Sequence, residues 1–473
     1  MPVGLARPPE RPPDVGECGV RQRWFSSREE ALPVSSIPGG VDGLEVRFDD
    51  GSLVGDAGLL LAGTVMARLG LGALIDAAVR PRESGRGSGA RALSLVASML
   101  VGGSFIDDAD RLRAGSASAV LPFEPSAPST SGTWLRSFSW GHVRQLDRAL
   151  EPALRRAWSA GAAPAAAEMT VDLDSTVCEV YGKAKQGAAY GHTNVWGYHP
   201  VAAARDDTGE IVHARMRSGS SQRGHRRFAA ETPGRLRRLA PATAVTVRAD
   251  AGFFSYDLID TLEAEDARYS ITIPRNPKVK AAIDAIDDKA WKPIPYTEDA
   301  TAQVAETTTA AGRRHRRRPR ELRLIVRRTR LEGPQMTLRP DWRHHCFATD
   351  RSDLDACAAD AYHRDHARVE PAIKDLKAAG LAHSPSGKFA ANAAHLGCAA
   401  LAHNLARWTA RLGQTQHPHR LTVAATIRRR LLTVPGRVVN HSHKHILRMP
   451  HNWPWATTFT TALTHIRNLP MLI

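Results

Sequence analysis

The sequence contains few cysteines, and their spacing excludes the common cysteine-based scaffolds. Cys18, Cys178, Cys346, Cys357 and Cys398 are odd in number and far apart, and none belongs to a Cys-x-x-Cys motif. A disulfide framework or a zinc ribbon requires paired cysteines at short spacing. We therefore expect free thiols and a location in the reducing cytoplasm.

Long apolar runs are missing as well. The two most apolar stretches, residues 58–67 and 92–106, are shorter than the ~20 residues that a helix needs to span a bilayer. Residues 1–17 carry prolines and charges where a signal peptide requires an apolar core. The sequence thus predicts no membrane segment, and we interpret both apolar stretches as buried helices.

Acidic residues are outnumbered, which indicates a polyanionic partner. The chain of 473 residues has 64 Lys and Arg against 48 Asp and Glu, and its net charge is +16 with an isoelectric point near 10.1. Such a charge favours nucleic acid over an acidic small molecule. The length predicts two to four folded units at roughly 100–200 residues each, and the 42% of hydrophobic residues is enough to form a core.

The N-terminal part of the chain is predicted to be an arm followed by helices. Residues 1–45 are rich in Pro, Gly and Arg without a sustained period, which is typical of a flexible basic arm. Apolar residues at three-to-four spacing predict a helical domain over residues 46–160. Residues 129–158 favour a helix-turn-helix, with Arg136 and Arg144 near the start of its recognition helix. A helical bundle without DNA contact is the alternative.

The rest of the chain alternates between strands and helices. Short β-branched segments bounded by Gly, Pro or Asp predict an α/β unit over residues 161–275. Residues 276–345 are polar, the clearest strands are predicted at residues 320–330 and 344–350, and the chain then returns to helices within residues 346–473. An arginine cluster that includes Arg316, Arg317 and Arg318 is interpreted either as a patch that neutralises phosphates or as a solvated loop.

Two predicted strands carry acidic residues. In VDLDSTV the strand period places Asp172 and Asp174 on one face, with Val171 and Leu173 on the other. Carboxylates at such close spacing repel each other unless a cation lies between them, which indicates a metal site; a solvated edge strand is the alternative. Asp250 follows a second apolar strand, at the C-terminal end where α/β sheets place ligands.

A third acid, Glu370, lies on a predicted amphipathic helix. One stripe of this helix is apolar, and another side carries an acid among bases. The apolar stripe consists of Val369, Ile373 and Leu376, and the polar side of His363, His366, Glu370, Lys374 and Lys377. Any amphipathic helix would show the same stripe, so the period alone does not indicate catalysis.

In combination, the motifs DLDST, VRADAGFF, YHRDHARVEPAIKDLKAAGL and NWPWATTF resemble the DDE transposases of bacterial insertion sequences. The resemblance covers residues 46–473, and it is greatest to the group with a Tyr-Arg-Glu-Lys signature, in the insertion-sequence thirteen-eighty subgroup. It implies an α/β fold with a ribonuclease-H-like catalytic core in two parts, residues 161–275 and 346–473. A β-rich insertion at residues 276–345 would separate them, and a helical DNA-binding domain would precede the core.

The resemblance also implies a metal site. Asp174, Asp250 and Glu370 would hold two divalent ions, Mg²⁺ or Mn²⁺, which prefer carboxylate oxygens. Asp172 is the alternative first acid, and Asp174 is preferred because Ser and Thr follow it directly. Contacts to DNA phosphates are expected from Lys377, Lys374, Arg364, Arg368 and the arginines of the cluster.

The implied function is a transposase that acts near the bacterial nucleoid. It would bind the terminal inverted repeats of its element, cleave there and transfer strands to target DNA, as a homodimer in the DNA complex. A catalytically inactive DNA-binding repressor and a metal-dependent nuclease are the alternatives.

The chain matches the signature only in part. Glu370 and Lys377 keep the interval of the family, whereas His366 stands where the family has arginine, and Tyr362 lies eight residues before the glutamate instead of seven. Pro371 lacks an N–H donor, so we expect the helix either to start there or to kink at Glu370.

A histidine-rich segment, NHSHKHILRM, lies close to the C-terminus. His441, His443 and His445 share one strand face at a spacing that would suit zinc, but no fourth ligand is evident. We interpret the segment as a basic strand on the surface.

Overall fold

A mixed sheet of nine strands organises the structure, a computed structural model that describes residues 40–81, 87–191, 193–219, 225–297, 300–311, 320–331, 342–415 and 423–472. Among the described residues, 51–472 belong to one compact unit and 40–50 to another, in which the 3-10 turn Gly40–Gly43 is a defined element. Most of the predicted arm, and the arginine cluster with Arg316, Arg317 and Arg318, lie outside the described residues.

Helices form the N-terminal part of the larger unit, as the three-to-four spacing predicts. A short strand and two 3-10 turns, Ile106–Arg113 and Ala117–Val120, accompany them. The strand is β1 (Leu53–Val54), and the helices are α1 (Leu59–Arg68), α2 (Leu71–Ala78), α3 (Ser88–Leu100), α4 (Pro128–Arg136) and α5 (Trp140–Ser159). Gly70 separates α1 from α2 with a φ of 59°, a conformation that glycine adopts at little cost. Residues 58–67 lie almost wholly in the buried helix α1, as predicted. Of residues 92–106, only the part up to Leu100 belongs to the buried helix α3, and Phe105 beyond it is exposed.

Strands and helices alternate in the next part of the chain. The strands are β2 (Glu168–Ser175), β3 (Cys178–Glu179), β4 (Ala189–Tyr190), β5 (Trp196–Tyr198), β6 (Val201–Arg205), β7 (Ile211–Arg215), β8 (Ala244–Ala249) and β9 (Arg268–Thr272), with α6 (His225–Leu239) and α7 (Tyr256–Ala264). β3, β5 and β4 form a separate small sheet. In the large sheet β2, β8 and β9 are parallel neighbours, while β6 and β7 continue it antiparallel on the other side of β2.

The segment predicted to be β-rich extends the same large sheet. It contains α8 (Pro277–Asp284), β10 (Lys292–Ile294), β11 (Ala300–Ala311), β12 (Arg320–Leu331) and the start of β13 (Arg343–Thr349). All four strands are antiparallel to their neighbours, and the complete order is β10-β11-β12-β13-β9-β8-β2-β6-β7. The two strands predicted at residues 320–330 and 344–350 are therefore confirmed as β12 and β13.

The C-terminal part returns to helices and ends with a hairpin and a last helix. Its elements are α9 (Ala356–Arg364), a 3-10 turn (Asp365–Arg368), α10 (Val369–Leu376), a π-helical segment (Lys377–Leu381), α11 (Phe389–Leu412), α12 (Ala424–Ile427), a second π-helical segment (Arg428–Leu432), β14 (Gly436–His441), β15 (Lys444–Arg448) and α13 (Ala456–Arg467). β14 and β15 form a hairpin that pairs with β1. A mixed α/β fold with a large sheet is thus confirmed.

The central helix α11 closes one edge of the large sheet. It is buried along almost its whole length and contacts α3, α5 and β7. Asn404 from this helix accepts from the backbone N–H of Ile211 at 2.8 Å and donates to the backbone C=O of the same residue at 2.8 Å. Because β7 is an edge strand, these two bonds satisfy backbone groups that no neighbouring strand pairs.

No single helix in the described part of the chain is long and apolar enough to cross a membrane, and one bent pair, α1 with α2, would be by length and composition. The four cysteines that the structure describes are free thiols.

Candidate active site

One face of β2 packs along α9 and the turn that follows it. The hydroxyl of Tyr362 lies 2.7 Å from Thr170 Oγ1, and one helical turn later His366 Nδ1 lies 2.8 Å from Asp172 Oδ1. Two residues advance a strand by about 6.6 Å and four residues advance a helix by about 6 Å, so the two elements stay in step. Side chains two residues apart on β2 therefore meet side chains four residues apart on the helical segment.

The next position along both elements brings two of the predicted acids to one place. Asp174 on β2 and Glu370 on α10 line the same cavity. α10 begins at Val369, so Glu370 and Pro371 lie in its first turn, where a missing N–H breaks no intrahelical bond. The proline is therefore tolerated because a new helix starts there after the 3-10 turn.

Asp250 reaches the same cavity from the neighbouring parallel strand. β8 pairs with β2 so that Ala249 lies opposite Leu173, which makes Asp250 level with Asp174. Asp250 also lines the cavity, and its carboxylate accepts from the backbone N–H of Gly252 at 3.0 Å. The three acids that the sequence indicated are thus brought together by two adjacent parallel strands and one helix.

The cavity has a volume of about 340 Å³, and both acids and bases line it. Its lining residues are Asp174, Asp250, Thr272, Arg327, His345, His363, Arg364, His366, Ala367, Val369 and Glu370. Burial raises the pKa of Asp174, and the carboxylates of Asp250 and Glu370 raise it further, while the Ser175 N–H and His366 lower it. Like charges therefore oppose one another here, which is the condition that a bound cation would relieve.

Asp172 does not line this cavity, because it belongs to a buried ion pair beneath it. Its carboxylate accepts from Arg248 Nε at 2.7 Å and from Arg248 Nη2 at 2.9 Å, and both side chains are about 1% exposed. Burial alone would lower the pKa of the Arg248 guanidinium, but the hydrogen bonds and charge of Asp172 raise it instead. The Asp172 carboxylate also accepts a hydrogen bond from the Nδ1–H of His366. With three hydrogen bonds made, its oxygens have little capacity left to bind a metal ion.

Arg248 also links the sheet to α9 through hydrogen bonds. Arg248 Nη1 donates to the backbone C=O of Tyr362 at 2.6 Å, and Arg248 Nη2 donates to Asp206 at 2.7 Å. The Tyr362 ring lies 4.9 Å from Arg248 Cζ and 4.8 Å from Arg351 Cζ. Two guanidinium groups and the Thr170 hydroxyl thus hold Tyr362 in place. Tyr362 lies outside the cavity wall.

Burial lowers the pKa values of two histidines in the cavity wall. His363 lies between Ser270 Oγ at 2.8 Å and Thr272 Oγ1 at 3.0 Å, and its ring stacks on Phe347 with centroids 4.0 Å apart. Burial lowers the pKa of His363 well below its usual value and that of His345 to about 4. His363 lines the cavity with Glu370, as their shared polar side predicts, but it is buried because it packs against β9 and β13.

The two arginines that the sequence offered as phosphate contacts on the segment before Glu370 differ in position. Arg364 lines it, with its Nε 3.0 Å from Asp360. Arg368 is exposed and pairs with Asp206 at 3.4 Å and with Asp365 at 3.3 Å.

The two lysines that follow Glu370 lie outside the cavity wall. Lys374 is exposed and Lys377 is half-buried. The pKa of the Cys178 thiol is raised to about 11 by burial and lowered slightly by the charge of Lys377, which places Lys377 near β3.

The two arginines of the predicted helix-turn-helix differ in their surroundings. α4 and α5 are joined by the short turn that the motif requires. Arg136, in the last turn of α4, is exposed and its Nη2 donates to Thr133 at 3.2 Å. Arg144 pairs with Glu231 of α6 at 3.3 Å, so its guanidinium is already engaged within the chain. That these arginines contact DNA stays a prediction.

Sequence reasoning missed two arginines near the acids. Arg248 precedes Asp250 by two residues, and strand alternation would have placed it on the same face as Asp172 of the neighbouring strand. Arg217 is 8% exposed and donates to the backbone C=O of His199 at 2.9 Å. Burial lowers the pKa of Arg217 and the nearby charge of Asp250 raises it. No local pattern connects Arg217 to the acids, since a loop brings it there.

The donor set of the cavity suits a hard divalent cation. Asp174, Asp250 and Glu370 offer carboxylate oxygens, the ligands that Mg²⁺ and Mn²⁺ prefer. Within the described ranges no three His, Cys, Asp or Glu side chains lie close enough together to hold a metal ion. The acids therefore share a cavity without enclosing a point between them.

Comparisons with known proteins identify the family of the chain. A family model described as Transposase DDE domain group 1 matches residues 39–471. Among solved structures, the chain is similar to a piggyBac transposase in a synaptic complex with hairpin DNA, determined by cryo-EM, at 10% identity over 89% of this chain and 83% of that chain, with a TM-score of 0.40. No curated protein matches the chain.

Proposed function

The chain belongs to the DDE transposases of domain group 1. From this premise we propose that it binds the terminal inverted repeats of an insertion sequence and that it cleaves and transfers DNA strands there. Its catalytic acids in this proposal are Asp174, Asp250 and Glu370. The observation that supports this proposal is the meeting of these three carboxylates in one cavity. They are 76 and 120 residues apart in the chain, and only the fold brings them together.

The carboxylates would hold two Mg²⁺ or Mn²⁺ ions, which in this chemistry activate the attacking oxygen of water or a 3′-hydroxyl and stabilise the leaving one. The pKa of Asp174, raised by burial and further by the neighbouring carboxylates, supports this role, because a carboxylate whose charged form is destabilised in this way is stabilised by a cation. Asp174 is the first acid of this set, since Asp172 is occupied by Arg248 and His366.

The remaining residues of the wall position DNA and the acids. His366 is fixed through Nδ1, and its ring lines the cavity with the acids. Arg364 and Arg327, both in the wall and both paired with Asp360, supply positive charge where a scissile phosphate would lie. Lys374, Lys377 and Arg368 would contact phosphates further along the strand.

The finer assignment is to the insertion-sequence thirteen-eighty subgroup with a modified Tyr-Arg-Glu-Lys signature, in which His366 replaces the arginine. The core is assigned as ribonuclease-H-like, with residues 276–345 as its β-rich insertion and α1–α5 as the domain that binds DNA. Two acids at the ends of adjacent parallel strands support the core assignment. Two copies on a pair of element ends, near the nucleoid, complete the proposal.

The test is cleavage of a labelled duplex that carries the terminal repeat, with Mg²⁺ and with Mn²⁺. Asp174→Ala, Asp250→Ala and Glu370→Ala are each expected to abolish cleavage while binding of the duplex persists, because each removes a metal ligand and no phosphate contact. Cleavage that survives all three changes would refute the site. A wild-type protein that binds but neither cleaves nor joins would be a repressor, and one that cleaves but never joins strands would be a nuclease.

A further inference from the structure

The C-terminal part of the chain has an extreme charge composition. Residues 376–473 contain 12 Lys and Arg and no Asp or Glu, so they account for most of the net charge of +16. A surface formed from this part of the chain has no carboxylate of its own to neutralise its cations. Such a surface attracts a polyanion.

The β14–β15 hairpin presents a face of this kind. Directly opposed residues are Arg437 with Arg448, Val439 with Ile446, and His441 with Lys444. Opposed residues and residues two apart lie on one face of a hairpin, so these six side chains share a face. Both basic pairs are exposed, and Ile446 is 38% exposed.

The opposite face of the hairpin fixes its orientation. Val438 and Leu447 are opposed to each other and pack against the hydrophobic core. β14 also pairs with β1, which joins the hairpin to the rest of the unit. A one-residue shift of register would bury the charged face. The alternation of apolar and basic residues along the hairpin therefore keeps the basic pairs exposed to solvent.

The hairpin places like charges directly opposite each other. Arg437 and Arg448 are two permanent cations at one opposed position, an arrangement in which the two charges repel each other. The turn adds strain, because Ser442 and His443 have φ values of 47° and 62°, a conformation better suited to glycine or asparagine. The register thus places cationic side chains at the base and near the tip of the hairpin.

The spacing of the two basic pairs matches a feature of duplex DNA. Four residues separate them along β14, or about 13 Å, and the major groove of B-DNA is about 12 Å wide and admits a two-stranded ribbon. The apolar pair Val439 and Ile446 lies midway between the charges. Apolar side chains contact thymine methyl groups in that groove.

We propose that the outward face of the β14–β15 hairpin binds duplex DNA across the major groove, with its two basic pairs on the phosphates at either side and its apolar pair over the groove. This surface rests on the proposed function, and it is distinct from the cavity that holds the acids. It gives a role to the histidine-rich segment, whose histidines and Lys444 stand at the tip of the ribbon.

The test compares two double substitutions that each remove two positive charges. Lys444→Gln with Arg448→Gln changes the hairpin, and Lys278→Gln with Lys280→Gln changes exposed lysines on α8. Affinity for a labelled duplex is measured by fluorescence anisotropy over a salt series. Each lost phosphate contact lowers the logarithmic salt slope by about 0.9, so the hairpin variant should lose about 1.8 from the slope. When the salt concentration rises from 50 to 200 mM, the fold loss of DNA affinity should therefore be about ten times smaller for the hairpin variant than for the wild type. The α8 variant should keep the wild-type slope.

Three further outcomes separate the possible failures. A wild-type slope in the hairpin variant, or an equal fall in both variants, would overturn the hairpin surface alone if the wild type binds and cleaves DNA. A wild type without salt-dependent DNA binding or cleavage would overturn the proposed function together with it. Arg448→Gln should keep or raise the melting temperature at low salt, because it removes a repulsion; a fall would show that this arginine is structural and would overturn its role on DNA.

A single change tests the orientation of the ribbon. Ile446→Ala should weaken binding without changing the salt slope, because it removes an apolar contact and no phosphate contact. Unchanged affinity in this variant would overturn the placement of the apolar pair over the groove.

Discussion

Removing Asp172 and removing Asp174 should affect the protein in opposite ways, although both side chains lie on one face of β2. Asp172→Ala leaves the Arg248 guanidinium buried without its main partner, because Arg248 and Asp172 are each about 1% exposed and share two hydrogen bonds. Breaking a buried ion pair from one side costs about 3–5 kcal/mol. Asp174→Ala removes a carboxylate whose pKa is raised by burial and by neighbouring acids, so the folded state loses a repulsion.

The magnitudes can be converted into melting temperatures. At about 2.1 cal/mol/K of unfolding entropy per residue, a unit as large as residues 51–473 loses about 1 °C for each kcal/mol. Asp172→Ala should therefore melt about 3–6 °C below the wild type. Asp174→Ala should melt at or slightly above the wild-type temperature and lack all cleavage.

The assay is thermal unfolding in parallel with cleavage of a terminal-repeat duplex. The double variant Asp172→Leu with Arg248→Met supplies the control, because replacing both members of a buried pair with apolar residues avoids an unpaired charge. It should melt above Asp172→Ala. If Asp172→Ala keeps its melting temperature and loses cleavage while Asp174→Ala still cleaves, Asp172 and not Asp174 is the metal ligand.

Three other predictions follow from buried groups. Because the pKa of Asp174 is raised in the folded state, its ionisation destabilises the fold as pH rises above the usual value of 3.8. Asp174→Asn should thus be more stable than the wild type at neutral pH, with a difference that disappears below that value; a constant difference would contradict this. The depressed pKa of His363 has the reverse sign, so its contribution to stability is present above pH 6.5 and lost as pH falls below it. His363→Gln should flatten the loss of stability on acidification, as followed by denaturant midpoints. Asn404→Leu leaves two backbone groups of β7 unpaired and should cost about 2–4 kcal/mol, whereas Asn468→Leu at the exposed end of α13 should cost almost nothing.

Several features of the site could be predicted from the sequence because they depend on local periods. The period of two in VDLDSTV placed Asp172 and Asp174 on one face, and the structure has both on the face of β2 that meets α9 and α10. The apolar stripe of Val369, Ile373 and Leu376 is buried as the helical period requires. Such patterns fix which way a side chain points relative to its own element.

Other features depended on which elements become neighbours. The difference between Asp172 and Asp174 arises because Arg248 lies opposite Asp172 in the parallel pairing of β2 and β8. The burial of His363 arises because α9 packs its ring against Ser270 of β9 and Phe347 of β13. Neither the strand pairing nor this packing has a signal within a window of a few residues.

The charge, the periods of the elements and a set of candidate acids, with Asp172 and Asp174 both open as the first, could be predicted from the sequence alone. A net charge of +16 and the order of the motifs follow from composition and from position along the chain, and they need no contact between distant residues. Only the tertiary structure decided which carboxylates share a cavity and which are consumed by buried ion pairs. The physical reason is that burial and pairing set the ionisation and the availability of a charged group, and both depend on residues that are distant in the chain.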